Sequence, residues 1–141
     1  MFKNILIALK FSPSGLHAFD TAVRLARSLS ARLHVFHALD YHLKDLDRTD
    51  PKLTDALKAA DHLIESRLHP RLAGIEMQKF SIAYMPADPA LEACRMAKKI
   101  PADLIVVGCH HTQRNLDMGR VDYVGMTILE KAPCAVLLVP V

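Results

Sequence analysis

Apolar residues along this chain follow two rhythms that take turns. One is a short run of branched side chains, as in Asn4-Ile-Leu-Ile-Ala-Leu9, Leu104-Ile-Val-Val107 and Cys134-Ala-Val-Leu-Leu-Val139. Such runs, flanked by turn residues, are how strands buried on both faces read. The other rhythm is helical. From Gly15 to about Leu29 the residues Leu16, Phe19, Val23, Ala26 and Leu29 share a face, with Ser12 or Ser14 as the cap and Pro13 in the first turn. Arg32 to Leu39 forms a second strand, with His34 and His37 between its apolar positions. Asp40 to Asp50 has no period and reads as a loop. Pro51 to about Leu72 is the longest helix, capped by Asp50 and disturbed or ended by Pro70. A third strand spans about Glu76 to Tyr84. Pro86 and Pro89 start the next helix, which carries Leu91, Cys94, Ala97 and Ile100 and stops at Pro101. A last helix, about Tyr123 to Lys131, precedes the final strand.

Strands alternating with helices predict an α/β domain over residues 1–141, a doubly wound five-stranded parallel sheet with helices on both faces and right-handed crossovers. The expected strand order is 3-2-1-4-5, a Rossmann-like arrangement. Its switch point falls between the first and fourth strands, where ligands of open parallel sheets bind. Lys10 to Ser14 and Gly108 to His111 are expected to face each other there. Gly108, ending the fourth strand, marks either a sharp turn or a close backbone approach to a ligand.

Composition narrows the class. Hydrophobic residues make up 51% and charged residues 23%, as in a globular chain. A net charge of +3, with Lys and Arg spread along the chain, is not the clustered footprint of a nucleic-acid binder. No apolar run approaches the roughly 20 residues of a membrane span. Met1-Phe-Lys-Asn-Ile leads straight into a strand without a signal peptide, and Cys94, Cys109 and Cys134 form an odd, sparse set. A reduced, cytoplasmic protein is the simplest reading.

The ordered segments resemble those of the universal stress protein (UspA) family over nearly the whole chain. Ile5-Leu-Ile-Ala-Leu-Lys10-Phe-Ser is similar to that family's opening strand, and Leu33-His-Val-Phe-His-Ala to its second. Asp103-Leu-Ile-Val-Val-Gly-Cys-His-His and Ala132-Pro-Cys-Ala-Val-Leu-Leu-Val-Pro are similar to its closing strands. The resemblance implies a pocket for ATP or AMP, built in many members on Gly-x2-Gly-x9-Gly-Ser/Thr, with an Asp ending the first strand near the nucleotide's metal. Glycines of this kind let backbone N–H groups close on phosphate. Here only Gly108 matches. His111 stands at the second glycine, and the final pair falls on Val121 and Asp122 or on Asp122 and Tyr123, with Gly119 displaced and Arg120 after it. Lys10 stands where the Asp would be.

The nucleotide-contacting set implied by this resemblance is Ala8, Leu9, Lys10, Ala38, Val107, Gly108, His111, Gly119, Arg120, Val121 and Asp122. A side chain at His111 and an acid at Asp122 work against phosphate. Lys10, Arg114 and Arg120 can replace the lost metal with fixed positive charge, so magnesium is expected to matter little. Two readings stay open, a nucleotide-responsive regulatory module and a nucleotide-free dimeric interaction module. Both imply a homodimer through the last strand, at Val136, Leu137, Leu138 and Val139, because an apolar sheet edge invites pairing. Its protein partner is not readable from the residues.

Turnover is not expected. There is no Gly-x-Ser-x-Gly elbow and no acid placed to orient a histidine. A receiver domain needs acids where Lys10 stands, and the dinucleotide fingerprint Gly-x-Gly-x-x-Gly is missing. Cys109-His110-His111 are adjacent and cannot easily converge on one metal ion. Cys134 reads as an inert small hydrophobe. Asp61, Glu65 and Arg67 read as a solvated helix face. His37, near the strand's end, reads by position either as strand packing or as the border of a pocket.

Overall fold

A computed structural model describes residues 2–109 and 123–140. The strands are β1 (Asn4–Leu9), β2 (Arg32–Leu39), β3 (Phe80–Pro86), β4 (Leu104–Cys109) and β5 (Ala135–Pro140). The helices are α1 (Pro13–Leu29), α2 (Pro51–Leu63), α3 (Pro89–Lys99) and α4 (Tyr123–Lys131). All strand pairs are parallel, and the order is β3-β2-β1-β4-β5. This is the expected doubly wound topology. Central β1 aligns Ile5 with Leu33 on one side and with Leu104 on the other.

Each face of the sheet has its own core, because alternate residues of a strand point to opposite faces. Ile5, Ile7, Val35 and Val106 meet Phe19, Ala22 and Val23 of α1 and Leu68. Leu6, Phe36, Ile105 and Val107 meet Ala93 and Ala97 of α3 and Ile128 of α4. The runs that read as continuous apolar stretches in the sequence are therefore covered on both sides.

Several boundaries differ from those the sequence predicts. Helix α1 starts at Pro13, with Ser12 as its cap: the Gly15 N–H donates to Ser12 Oγ at 3.1 Å. Helix α2 stops at Leu63, and its continuation is a π-turn over Ile64–Leu68 and a 3-10 turn over His69–Arg71. Pro70 explains this, since it lacks an N–H and its ring crowds the carbonyl four residues back. Strand β3 begins at Phe80 rather than near Glu76, because Met77–Lys79 form a 3-10 turn. It continues to Pro86, opposite Leu39, so Pro86 ends a strand instead of starting a helix. An edge strand tolerates a residue with no N–H. Strand β4 runs two residues past Val107, to Cys109, and β5 is displaced by one residue at each end, to Ala135–Pro140. The loop after β2 contains a 3-10 turn, Tyr41–Leu43, whose first N–H groups are served by Asp40. Among the described residues no helix is long and apolar enough to cross a membrane.

Candidate functional site

At the carboxyl ends of β1, β2 and β4 lies a cavity of about 550 Å³, within the size range of small-molecule sites. Its position follows from the strand order. Helix α1 leaves β1 toward one face, α3 packs on the other, and the strand ends part between them. The expected residues Ala8, Leu9, Lys10, Ala38, Val107 and Gly108 all line it. His111, Gly119, Arg120, Val121 and Asp122, together with Arg114 and His110, lie outside the described residues.

The turn from β1 into α1 is tightly built. The Ser12 N–H donates to the Lys10 carbonyl at 2.9 Å, and the Leu16 N–H donates to the Ser12 carbonyl at 2.9 Å. A side chain on Gly15 would run into that same Lys10 carbonyl. Only glycine allows α1 to start so close to the end of β1. The first turn of α1 carries no acid and places Ser14 and Gly15 in the cavity wall. The partial positive end of the helix thus faces the cavity beside Lys10.

Gly108 has a structural reason of its own. A Cβ there would come within 2.6 Å of the Ser14 carbonyl oxygen and 3.2 Å of Ala18 Cβ. The close approach that its sequence position predicts is made by helix α1. This packing alone requires glycine, whatever else approaches it.

The apolar part of the wall comes from both sheet neighbours and helices: Phe36, Ala87, Pro89 and Val124 join Ala38 and Val107. Two tyrosines stand at the rim, Tyr41 at 54% exposure and Tyr123 at 73%. Lys44 lies over the Tyr41 ring, 5.4 Å from its centroid. The sequence offered no motif for these rim residues, because their role is set by where the chain leaves each strand. Asp40 is the one carboxylate among the described wall residues, and its Oδ1 already accepts the His42 N–H at 2.9 Å. This is a poor donor set for magnesium, which favours several hard oxygens in octahedral array. Among the described residues no group of three His, Cys, Asp or Glu side chains can hold a metal.

His37 also borders the cavity. Its Nδ1 lies 3.1 Å from the Leu9 carbonyl oxygen, and its ring meets Phe11 edge-on with centroids 4.8 Å apart. A carbonyl only accepts, so Nδ1 carries the proton. Burial pushes the His37 pKa below its ordinary value, and the Leu9 bond partly opposes this. The three cysteines are free, and burial raises the thiol pKa of Cys94 and Cys134. A raised pKa reduces the reactive thiolate, in keeping with a packing role for Cys134.

Of the four β5 residues expected at a homodimer contact, Val136, Leu137 and Leu138 are half-buried and Val139 is buried. Val136 and Leu138 pack into the α3–α4 core, and Leu137 packs against the α1 core. Val139 belongs to the α1 core outright, at 7% exposure. Among the described residues only β4 pairs with β5, which leaves its other backbone edge and the partly exposed Val136, Leu137 and Leu138 side chains beside it.

The parallel sheet, its order and the cavity at its switch point define a doubly wound, Rossmann-like α/β architecture. Within that class, the model of the universal stress protein family matches residues 1–140, and the chain belongs to that family. Among solved structures, the universal stress protein UspA from Lactobacillus plantarum is 24% identical, with a TM-score of 0.72 over 98% of this chain and 97% of that one. A universal stress protein solved in complex with cAMP is 19% identical, with a TM-score of 0.71 over 98% and 97%. A member of the family from Burkholderia pseudomallei is 28% identical, with a TM-score of 0.67 over 99% and 97%. No curated protein matches the sequence significantly.

Proposed function

We propose that this chain is a cytosolic, non-enzymatic regulatory module that binds an adenine nucleotide in the switch-point cavity. One observation carries the reading: in a universal stress protein fold, the carboxyl strand ends open into a cavity with apolar walls and Lys10 beside an acid-free helix start. Apolar walls suit a purine, and Lys10 with the helix dipole suits a phosphate. A relative of the same fold is described in complex with cAMP. Lys10 takes the place of a metal-binding acid, so binding needs no magnesium. The module acts as a homodimer, with the β5 backbone edges paired antiparallel about a two-fold axis. Sedimentation at micromolar concentration tests this part, and a monomer there defeats it.

Calorimetric titration with cAMP, AMP and ATP, with and without magnesium, tests the nucleotide reading. Binding independent of magnesium is expected. Absence of binding by all three supports the second reading, a nucleotide-free dimeric interaction module. That reading draws on Lys10 and His111 standing at positions where the family's nucleotide motif has Asp and Gly.

A further inference from the structure

Two histidines three residues apart on β2 are used in opposite ways. His34 is saturated: its Nε2 lies 3.2 Å from Asn4 Oδ1 and its Nδ1 2.8 Å from Ser81 Oγ. With Asn4 Oδ1 as an acceptor, Nε2 holds the proton and Nδ1 accepts from the serine hydroxyl. His37 is the other tautomer, with its Nδ1 proton spent on Leu9. Its Nε2 is then a bare acceptor, and it has no partner among the described residues. No fully buried side-chain nitrogen or oxygen among those residues lacks a partner. Nε2 is therefore reached by solvent, and His37 is part of the cavity wall. The Leu9 bond and the Phe11 edge contact fix the ring from two sides.

We infer that His37 Nε2 is a preorganised acceptor that takes a hydrogen bond from a donor of the bound nucleotide, and that protonating this imidazole releases the nucleotide. The inference rests on the nucleotide reading above. Its chemistry is simple. A neutral imidazole held in one tautomer offers one lone pair, and a donor on the nucleotide satisfies it. Protonation at Nε2 replaces that lone pair with an N–H that confronts the ligand's own donor. Among the described residues no carboxylate forms an ion pair with the ring. Around it stand Lys10 at the end of β1, Asp40 and Tyr41 beyond β2, and Tyr84 opposite on β3, whose hydroxyl donates to Asp61 of α2. Helix α1 presents the uncharged Ser14 and Gly15 to the cavity. Burial is the main influence on this imidazole and favours its neutral form.

The donor is the exocyclic amine of the base, since a ribose hydroxyl would turn to accept from a protonated ring. The probe is cAMP, because its phosphodiester lacks the second phosphate ionisation near pH 6 that would overlay a histidine titration. Calorimetry on the full chain from about pH 8 down to the lowest pH at which it stays folded is expected to show affinity falling below the ordinary histidine value of about 6.5, toward about tenfold per pH unit once His37 protonates. His37→Gln keeps an acceptor that does not titrate. It should lose most of the acid-side decline, whatever its affinity at the upper pH. Circular dichroism at each pH establishes that the chain stays folded. In wild type, cyclic inosine monophosphate, which lacks the amine, should lose about 10- to 100-fold, and 2′-deoxy-cAMP should not. His37→Phe should erase that difference. A pH-independent wild-type affinity, a His37→Gln profile as steep as wild type, or a loss with the inosine analogue unchanged by His37→Phe would each overturn the inference while leaving nucleotide binding intact. Failure of cAMP to bind at every pH would overturn both.

Discussion

The two ends of the sheet are built differently. At the amino ends Asp103 and His34 tie separate parts of the fold together. Asp103 accepts the Lys3 and Asn4 N–H groups at 2.8 and 3.1 Å, while its own N–H donates to the Asn4 carbonyl at 3.0 Å. His34 joins β1 to β3 through Asn4 and Ser81. At the carboxyl ends stand a cavity, a half-used His37, two exposed tyrosines and Lys10, which has no ion-pair partner among the described residues. Unspent hydrogen-bonding and charge at one end, against closed networks at the other, separates a stability end from the end proposed to bind a ligand, here called the binding end.

The largest effect should come from a residue that sits at the binding end for structural reasons. Gly15→Ala drives a methyl group into the Lys10 carbonyl. Backbone cannot yield there as a flexible side chain would, so a loss of about 3 kcal/mol of stability is expected by denaturant unfolding. Gly108→Ala, against the Ser14 carbonyl and Ala18, should cost about 1–3 kcal/mol. Wild-type stability in either variant would mean that α1 does not pack on β4 as described.

Asp103→Ala should cost about 1–2 kcal/mol, because two N–H acceptors are lost from a partly exposed site. Nucleotide affinity should not move. A variant that keeps its stability but binds nucleotide poorly would erase the distinction between the two ends.

Lys10→Ala is the converse. Lys10 is exposed and makes no ion pair in the fold, so the melting temperature should stay within a degree or two, as for surface changes of about 0.5 kcal/mol or less. Affinity for cAMP should fall about 3- to 10-fold at low salt, and the gap should narrow in high salt, where screening has already weakened the charge. A salt-independent loss would mean that Lys10 acts through packing rather than charge.

Most of the fold was legible because buried parallel strands leave an unmistakable mark. Leu104-Ile-Val-Val107 can hardly be anything else between Pro101 and a polar loop. The boundaries were less legible. Glu76 to Lys79 contain no Gly or Pro to mark a boundary, yet they form a 3-10 turn, and pairing starts only where Phe80 meets Leu33. The candidate site was legible at Ala8 to Lys10, Ala38, Val107 and Gly108, since strand order alone places strand ends together. Tyr41, Pro89 and Tyr123 carry no motif and become wall residues only through the geometry of the crossovers. Gly108 shows the limit from the other side: a motif position can be glycine because a helix packs on it.

The smallest expected effect is an acid slope in stability, and it probes both ends at once. Burial lowers the pKa of His34, helped by nearby Arg32, and that of His37, opposed in part by Leu9. In the unfolded chain both return to about 6.5. Below that value the unfolded state takes up protons that the folded state resists, so acid favours unfolding. Stability from these groups is full above about pH 6.5 and is lost as pH falls toward their folded pKa values. Both rings are only half buried, so the slope should stay well under the about 1.4 kcal/mol per pH unit of one fully linked proton. The window lies above the carboxylate range, in which Glu92, with its pKa lowered chiefly by the Arg95 hydrogen bond, contributes instead. Urea midpoints should therefore drop modestly between about pH 7.5 and about pH 5.5. His34→Gln and His37→Gln should each remove part of the drop, and cAMP should steepen it through His37 alone. A midpoint that is flat or rises on acidification would show that neither imidazole is held neutral by the fold.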